Sequence, residues 1–145
     1  MTLETIKIKK LNADATIPTR SHSTDAGLDL YASEDVRVAR GTKIPTGIAV
    51  DIPPGFEAQV RPRSGLSVRS SLRVTLGTID SGFVGEINVI ADSINVIGST
   101  MYHVKKGDKI AQLVLSPIET PKVEVVDEFD SESERGENGF GSTGK

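Results

Sequence analysis

Cysteine and tryptophan are both absent from this 145-residue chain. Without thiols there are no disulfides and no thiolate metal ligands. No run of about 18 apolar residues occurs, so no membrane-spanning helix is expected. The start, Met1-Thr2-Leu3-Glu4-Thr5-Ile6, has no basic stretch followed by an apolar block, so no signal peptide is expected and a cytoplasmic address is the default. A basic excess is lacking too: 17 Lys and Arg stand against 20 Asp and Glu, a net charge of −3. Proteins that grip duplexes generally carry a broad basic field. No nucleic-acid partner is therefore expected, and any phosphate must be met by a few placed cations. What remains is 37% hydrophobic, enough for one domain with a real core.

The apolar residues recur mainly with period two. Ile6-Lys7-Ile8-Lys9 alternates, as do Phe56, Ala58 and Val60 against Glu57, Gln59 and Arg61. Ile87, Val89 and Ala91 follow the same pattern less cleanly. Ile110 to Leu115 and Val123 to Val126 read as more fully buried strands. Turn signals separate these runs at Ala39-Arg40-Gly41, Pro53-Pro54-Gly55, Asp80-Ser81-Gly82 and Lys106-Gly107-Asp108. Many short strands at regular spacing predict an all-β sandwich, jelly roll or barrel. One short helix is predicted from Gly65 to Leu72, with Ser64 as its cap.

The last stretch changes character. Asp127, Glu128, Asp130, Glu132, Glu134 and Glu137 crowd a segment poor in apolar residues, and glycines 136, 139, 141 and 144 follow. That composition predicts a domain over residues 1–129 and a flexible C-terminal arm over 130–145. Phe140, an aromatic between two glycines, is out of place in a passive tail.

Five segments carry chemistry, each with a plainer alternative. In Asp25-Ala26-Gly27-Leu28-Asp29-Leu30, Asp29 alternates with leucines and is either a surface carboxylate or an organising one. Arg61-Pro62-Arg63-Ser64-Gly65-Leu66-Ser67 brings a cation, a hydroxyl and a glycine to a helix start, where free N–H groups favour anions. Arg63 would offer a planar fork, Ser64 a donor and Gly65 close backbone approach; the alternative is a simple cap. Gly77-Thr78-Ile79-Asp80-Ser81-Gly82-Phe83-Val84-Gly85-Glu86-Ile87 reads as a tight hairpin around a lone carboxylate. Asp80 is either a turn aspartate or a general base held away from bulk water. In Gly107-Asp108-Lys109-Ile110-Ala111-Gln112-Leu113, Gln112 is a polar group in an apolar strand and needs a partner, a backbone carbonyl being the plain option. In Arg135-Gly136-Glu137-Asn138-Gly139-Phe140-Gly141-Ser142-Thr143-Gly144-Lys145, Gly139-x4-Gly144-Lys145 imitates a phosphate loop. Such a loop needs a strand before it and a helix after it, and that context is missing. An arginine, two hydroxyls and an aromatic among glycines instead describe a lid for an aromatic base bearing phosphates.

Taken together and in order, these five segments resemble the five motifs of the trimeric deoxyuridine triphosphatases, from residue 26 to 144. The resemblance implies a jelly-roll-like β-barrel assembled as a homotrimer with shared active sites, each closed by the arm of one subunit. It implies hydrolysis of dUTP to dUMP and pyrophosphate. Asp80 would activate the attacking water at the α-phosphate and hold the deoxyribose 3′-hydroxyl. Arg63, Ser64, Gly65 and Gln112 would grip the phosphates. Arg135, Ser142 and Thr143 would hold the γ-phosphate, and Phe140, with Gly141 beside it, would stack on uracil. The backbone of Gly77, Thr78 and Ile79 would pair with the polar edge of uracil, and Asp29 would organise the site without direct contact. Mg²⁺ would be held mainly by phosphates and water.

Three positions depart from the commonest pattern of that family. Phe83 stands where tyrosine is usual beneath the sugar. Lys109 stands where arginine is usual, and Val74 where some members carry a base-contacting asparagine. The fold-sharing dCTP deaminases resemble the chain less, since their catalytic glutamate aligns with Ile90.

Overall fold

A computed structural model describes residues 2–94 and 101–141. Eleven strands and one helix follow in chain order: β1 (Lys7–Lys10), β2 (Gly27–Tyr31), β3 (Val36–Val38), β4 (Thr42–Pro45), β5 (Ile48–Asp51), β6 (Phe56–Arg61), α1 (Ser64–Arg69), β7 (Leu72–Val74), β8 (Gly77–Ile79), β9 (Asn88–Ser93), β10 (Tyr102–Val104) and β11 (Lys109–Pro117). All the pairings are antiparallel. The largest sheet runs β2-β11-β6-β8, a second runs β4-β9-β7, and β1-β5 and β10-β3 form two-stranded pairs. The architecture is the expected all-β, jelly-roll-like one.

Period-two patterning explains why. In β6, Phe56, Ala58 and Val60 are buried while Glu57, Gln59 and Arg61 are only half-buried. In β9, Val89 and Ala91 turn inward in the same way. β11 lies between β2 and β6, which is why Ile110, Ala111, Leu113 and Val114 are all buried. Side chains from both larger sheets, among them Leu30, Ile44, Val89 and Leu113, are fully covered and belong to one continuous apolar cluster. Burying each such aliphatic side chain is worth about 1.5–3 kcal/mol, so this cluster dominates the stability of the body.

Three expectations are corrected. The helix ends at Arg69, and Leu72 already belongs to β7. Its N-cap is Arg63, which makes no side-chain capping bond, and Ser64 is already the first helical residue. The stop is local: the hydroxyl of Ser70 donates to the carbonyl of Leu66, and the Leu72 amide donates to that same hydroxyl. Next, the segment around Asp80 is not a β-hairpin. β8 pairs with β6, whereas β9 pairs with β4 and β7, so the chain crosses here from one sheet to the other. Finally, Val123 to Val126 is no buried strand. Val123 and Val125 are 90% and 91% exposed, and the segment joins none of the sheets. Among the described residues regular structure ends at Pro117, and residues 119–138 are exposed throughout.

Candidate active site

Two clefts on the body gather the residues singled out by sequence. The first, about 430 Å³, is lined by Ser21, His22, Asp25, Ala26, Gly27, Asp29, Arg63, Ser64, Gly65 and Gln112. The second, about 290 Å³, is lined by Val60, Gly77, Thr78, Ile79, Asp80, Phe83, Glu86, Ile87 and Asn88. They have no lining residue in common.

The first cleft is built on one row of the large sheet. Gln112 of β11 lies opposite Asp29 of β2 on one side and Arg61 of β6 on the other, so all three side chains share a face. A bulge between Lys109 and Ala111 then shifts the register. The inserted residue brings Lys109 back to the face of Asp29, and its ammonium lies 3.6 Å from Asp29 Oδ2. Arg63, just beyond the end of β6, donates from Nε to Asp29 Oδ1 at 3.2 Å, and the Ser21 hydroxyl donates to Oδ2 at 3.3 Å. Asp29 is thus a nearly buried carboxylate, 8% exposed, tied to two cations and a hydroxyl. Burial of one charge needs such partners. The arginine gains by the same contact: with Nε committed, its two terminal nitrogens have no protein partner among the described residues and are free for a planar, two-pronged grip on an anion.

Gln112 donates from Nε2 to the carbonyl of Pro62 at 2.9 Å, the plain partner considered for it. Its amide oxygen packs onto the backbone of Gly27, where a Cβ would lie 2.1 Å from Oε1 and 3.0 Å from Gln112 Cβ and Cδ. Gly27→Ala is therefore expected to push Gln112 aside and cost about 1–3 kcal/mol of stability. Thermal unfolding checks it, and an unchanged midpoint would show that the cleft floor yields without strain.

Sequence reasoning missed three members of this wall. Ser21 and His22 sit on a turn that a backbone bond from Asp29 to the Thr19 carbonyl holds beside β2. Arg69 lays its guanidinium over Gly65, where a Cβ would meet Nη1 at 3.0 Å. The i, i+4 spacing of Gly65 and Arg69 within a helix was the available signal for the last. No local pattern pointed to the first two, because a non-local strand contact places them.

The second cleft has a different chemistry. β8 is an edge strand of the large sheet, so one row of its backbone N–H and C=O groups faces outward unpaired. Gly77, Thr78 and Ile79 carry that row. The chain then turns through Asp80 to Phe83, closed by the Phe83 amide on the Asp80 carbonyl at 3.2 Å, with Gly82 at φ +86°. A positive φ at the third turn position suits glycine. The Phe83 ring lies against Gly85, where a Cβ would come within 2.8 Å of Cζ. Glu86 accepts the Gly47 amide at 2.8 Å, and Thr46 donates its hydroxyl to the Ile87 carbonyl. Those two bonds pin the far end of the crossing. Asp80 itself is exposed in the single chain, contrary to the expectation that it is held away from bulk water. Among the described residues, no second element of its own chain covers the turn tip.

The remaining candidates stand apart. Arg135 donates to the Asn138 carbonyl at 2.6 Å and the Asn138 amide to the Arg135 carbonyl at 3.2 Å, a turn closed on itself. Phe140 is fully exposed with φ +51°, and Gly141 follows at φ +78°. A bulky side chain in the left-handed region is uncommon. Ser142 and Thr143 lie outside the described residues.

The family model described as dUTPase matches residues 13–144. A deoxyuridine 5′-triphosphate nucleotidohydrolase of Clostridium tetani is 47% identical, covering 100% of both chains. One of Clostridioides difficile is 50% identical over 96% of this chain and 97% of its own. Among solved structures, a mutant dUTPase of Staphylococcus bacteriophage 80alpha with dUpNHpp superposes with a TM-score of 0.85 at 34% identity, covering 99% of this chain and 100% of that one. A mutant dUTPase from phage phi11 of S. aureus, described with a structural Mg(II) ion, gives 0.81 at 31% identity, covering 88% and 100%.

Proposed function

The chain belongs to the dUTPase family, and from that premise we infer that it hydrolyses dUTP to dUMP and pyrophosphate at sites shared between the subunits of a homotrimer. The observation that carries this reading is the pairing of two unlike clefts. One offers an unpaired backbone edge and a lone carboxylate; the other offers an oriented guanidinium, a hydroxyl and a glycine. Together they suit the base, sugar and phosphate chain of one nucleotide.

Uracil is read by the outward edge of β8. Uracil and cytosine differ in their donor and acceptor pattern, so fixed backbone groups at Gly77, Thr78 and Ile79 reject the wrong base by leaving buried polar groups unpaired. Phe83, seated on Gly85, lies beneath the sugar and excludes a ribose 2′-hydroxyl by bulk. Asp80 accepts a proton from the attacking water and holds the 3′-hydroxyl. Arg63, Ser64 and Gly65 grip the phosphates, with the Gln112 amide beside them, and Asp29 orients Arg63. The arm, residues 130–145, closes the site: Phe140 stacks on uracil, with Gly141 giving room, and Arg135, Ser142 and Thr143 take the γ-phosphate.

Among the described residues, no three His, Cys, Asp or Glu side chains converge as a metal cage. The residues fit a Mg²⁺ that arrives on the substrate, held by phosphate oxygens and water. Bound there, it supplies neutralisation of the charge that builds on the leaving pyrophosphate.

The shared site supports the trimer, since the two clefts of one chain have no residue in common. Exposed Val123, Val125 and Phe129 offer apolar surface to a second copy. No helix of the described residues is long and apolar enough to cross a membrane. Light scattering is expected to give three times the mass of one chain, with pyrophosphate released from dUTP. A fully active monomer at micromolar concentration would overturn the shared site. Ammonia release from dCTP would overturn the activity, though Ile90 is apolar where a deaminase needs its glutamate.

A further inference from the structure

We propose that His22 is an additional substrate-binding residue whose protonated imidazole contacts the phosphate chain in the cleft of Arg63, Ser64 and Gly65. The proposal rests on the reading of that cleft as the phosphate site. His22 lies on the cleft wall with 81% of its side chain exposed, so a ligand can reach it. Its turn is rigidly tied. The Asp25 amide donates to the His22 carbonyl, the His22 amide donates to Asp25 Oδ2, and Arg20 donates from Nε to the Asp25 carbonyl at 2.8 Å. The ring nitrogen Nδ1 lies 3.0 Å from the same Asp25 Oδ2.

That contact fixes which ring nitrogen meets a ligand. With Nδ1–H donating to Asp25, the open position is Nε2. In the neutral ring Nε2 is a lone pair, which repels phosphate oxygens. Protonation turns it into a charged N–H donor. The hydrogen bond with His22 also holds the Asp25 carboxyl below the usual carboxylate range, so Asp25 remains ionised beside the ring under all conditions of interest.

The charges around the ring sharpen the effect. Arg20 and Asp25 come from its own turn, Asp29 from β2, Arg63 from the start of α1, Arg69 from the end of α1 over Gly65, and Lys109 from β11 through its ion pair with Asp29. Four cations against two carboxylates leave this wall with two net positive charges. One proton on His22 raises that to three, in front of a ligand carrying several negative charges.

The test measures binding of α,β-imido-dUTP with Mg²⁺ by the whole protein from pH 5.5 to 8. The terminal phosphate of the analogue changes its own charge in this range, so the readout is the Kd ratio of His22→Gln to parent. The expected ratio is about 5 at pH 5.5, the size of an exposed charge contact, falling to about 1 at pH 8. A ratio that stays flat, whether at 1 or above it, overturns the proposal. Arg63→Gln and Ser64→Ala separate this from failure of the underlying reading. If both bind the analogue as the parent does while remaining folded, the cleft is not the phosphate site. If either loses binding while the His22→Gln ratio is flat, the cleft stands and only the role of His22 falls.

Discussion

Replacing Asp80 by asparagine is expected to leave binding of a non-hydrolysable dUTP analogue nearly unchanged while turnover falls roughly 10²–10⁴-fold, the usual range for losing a general base. The amide has the shape of the carboxylate and still accepts a hydrogen bond from the sugar hydroxyl, but it cannot take a proton from water. The fold should be indifferent to the change. Asp80 is exposed at a turn tip, and the bond that closes the turn uses its backbone carbonyl. Melting temperature therefore acts as the control. Pyrophosphate release under saturating dUTP gives the rate, and titration with the analogue gives the affinity. Turnover within a factor of about two of the parent would rule Asp80 out as the base. A matching loss of affinity would assign it to substrate binding alone.

Removal of residues 135–145 is the second large effect. The truncated protein should stay folded and trimeric yet lose about 10²-fold or more in kcat/KM. Structurally the loss is small: the last strand ends at Pro117 and residues 119–138 bury nothing within the chain. Functionally it is large. Stacking of an aromatic on a base is worth about 1–3 kcal/mol, and each hydrogen bond to a charged group about 1.5–3 kcal/mol. Losing Phe140 and Arg135 together therefore costs about 2.5–6 kcal/mol, of the order of the roughly 2.7 kcal/mol that 10²-fold represents or more. These contacts must also offset the ordering of a glycine-rich segment. Amide exchange of residues 135–145 should accordingly slow with the triphosphate analogue and Mg²⁺, and slow much less with dUMP, which has no γ-phosphate. Equal protection with and without the analogue, or undiminished turnover after truncation, would make the arm a solvated tail.

The comparison of sequence with structure turns on the range of each interaction. The alternation of Phe56, Ala58 and Val60 is a local property of an extended chain with one wet face, and β6 follows it residue by residue. The crossing at Asp80 was misread because Gly77 to Ile87 contains every local mark of a hairpin. What decides a hairpin is whether its two strands pair, and here each finds a better edge elsewhere. Val123 to Val126 was misread for a related reason. Its pattern demands a partner strand, and among the described residues it pairs with none.

From sequence alone, the residue types and their order determined the fold class, the family and the set of side chains able to meet a nucleotide, since side-chain chemistry and period-two patterning need no knowledge of the partner strand. Tertiary structure alone decided how those side chains are tied together. The β11 bulge brings Lys109 to Asp29, the Thr19–Asp29 bridge carries Ser21 and His22 to the same wall, and Gly27 leaves just enough room for the Gln112 amide. Each of these depends on register between strands distant in the chain, and register is set by the packing of the whole core rather than by any local run of residues.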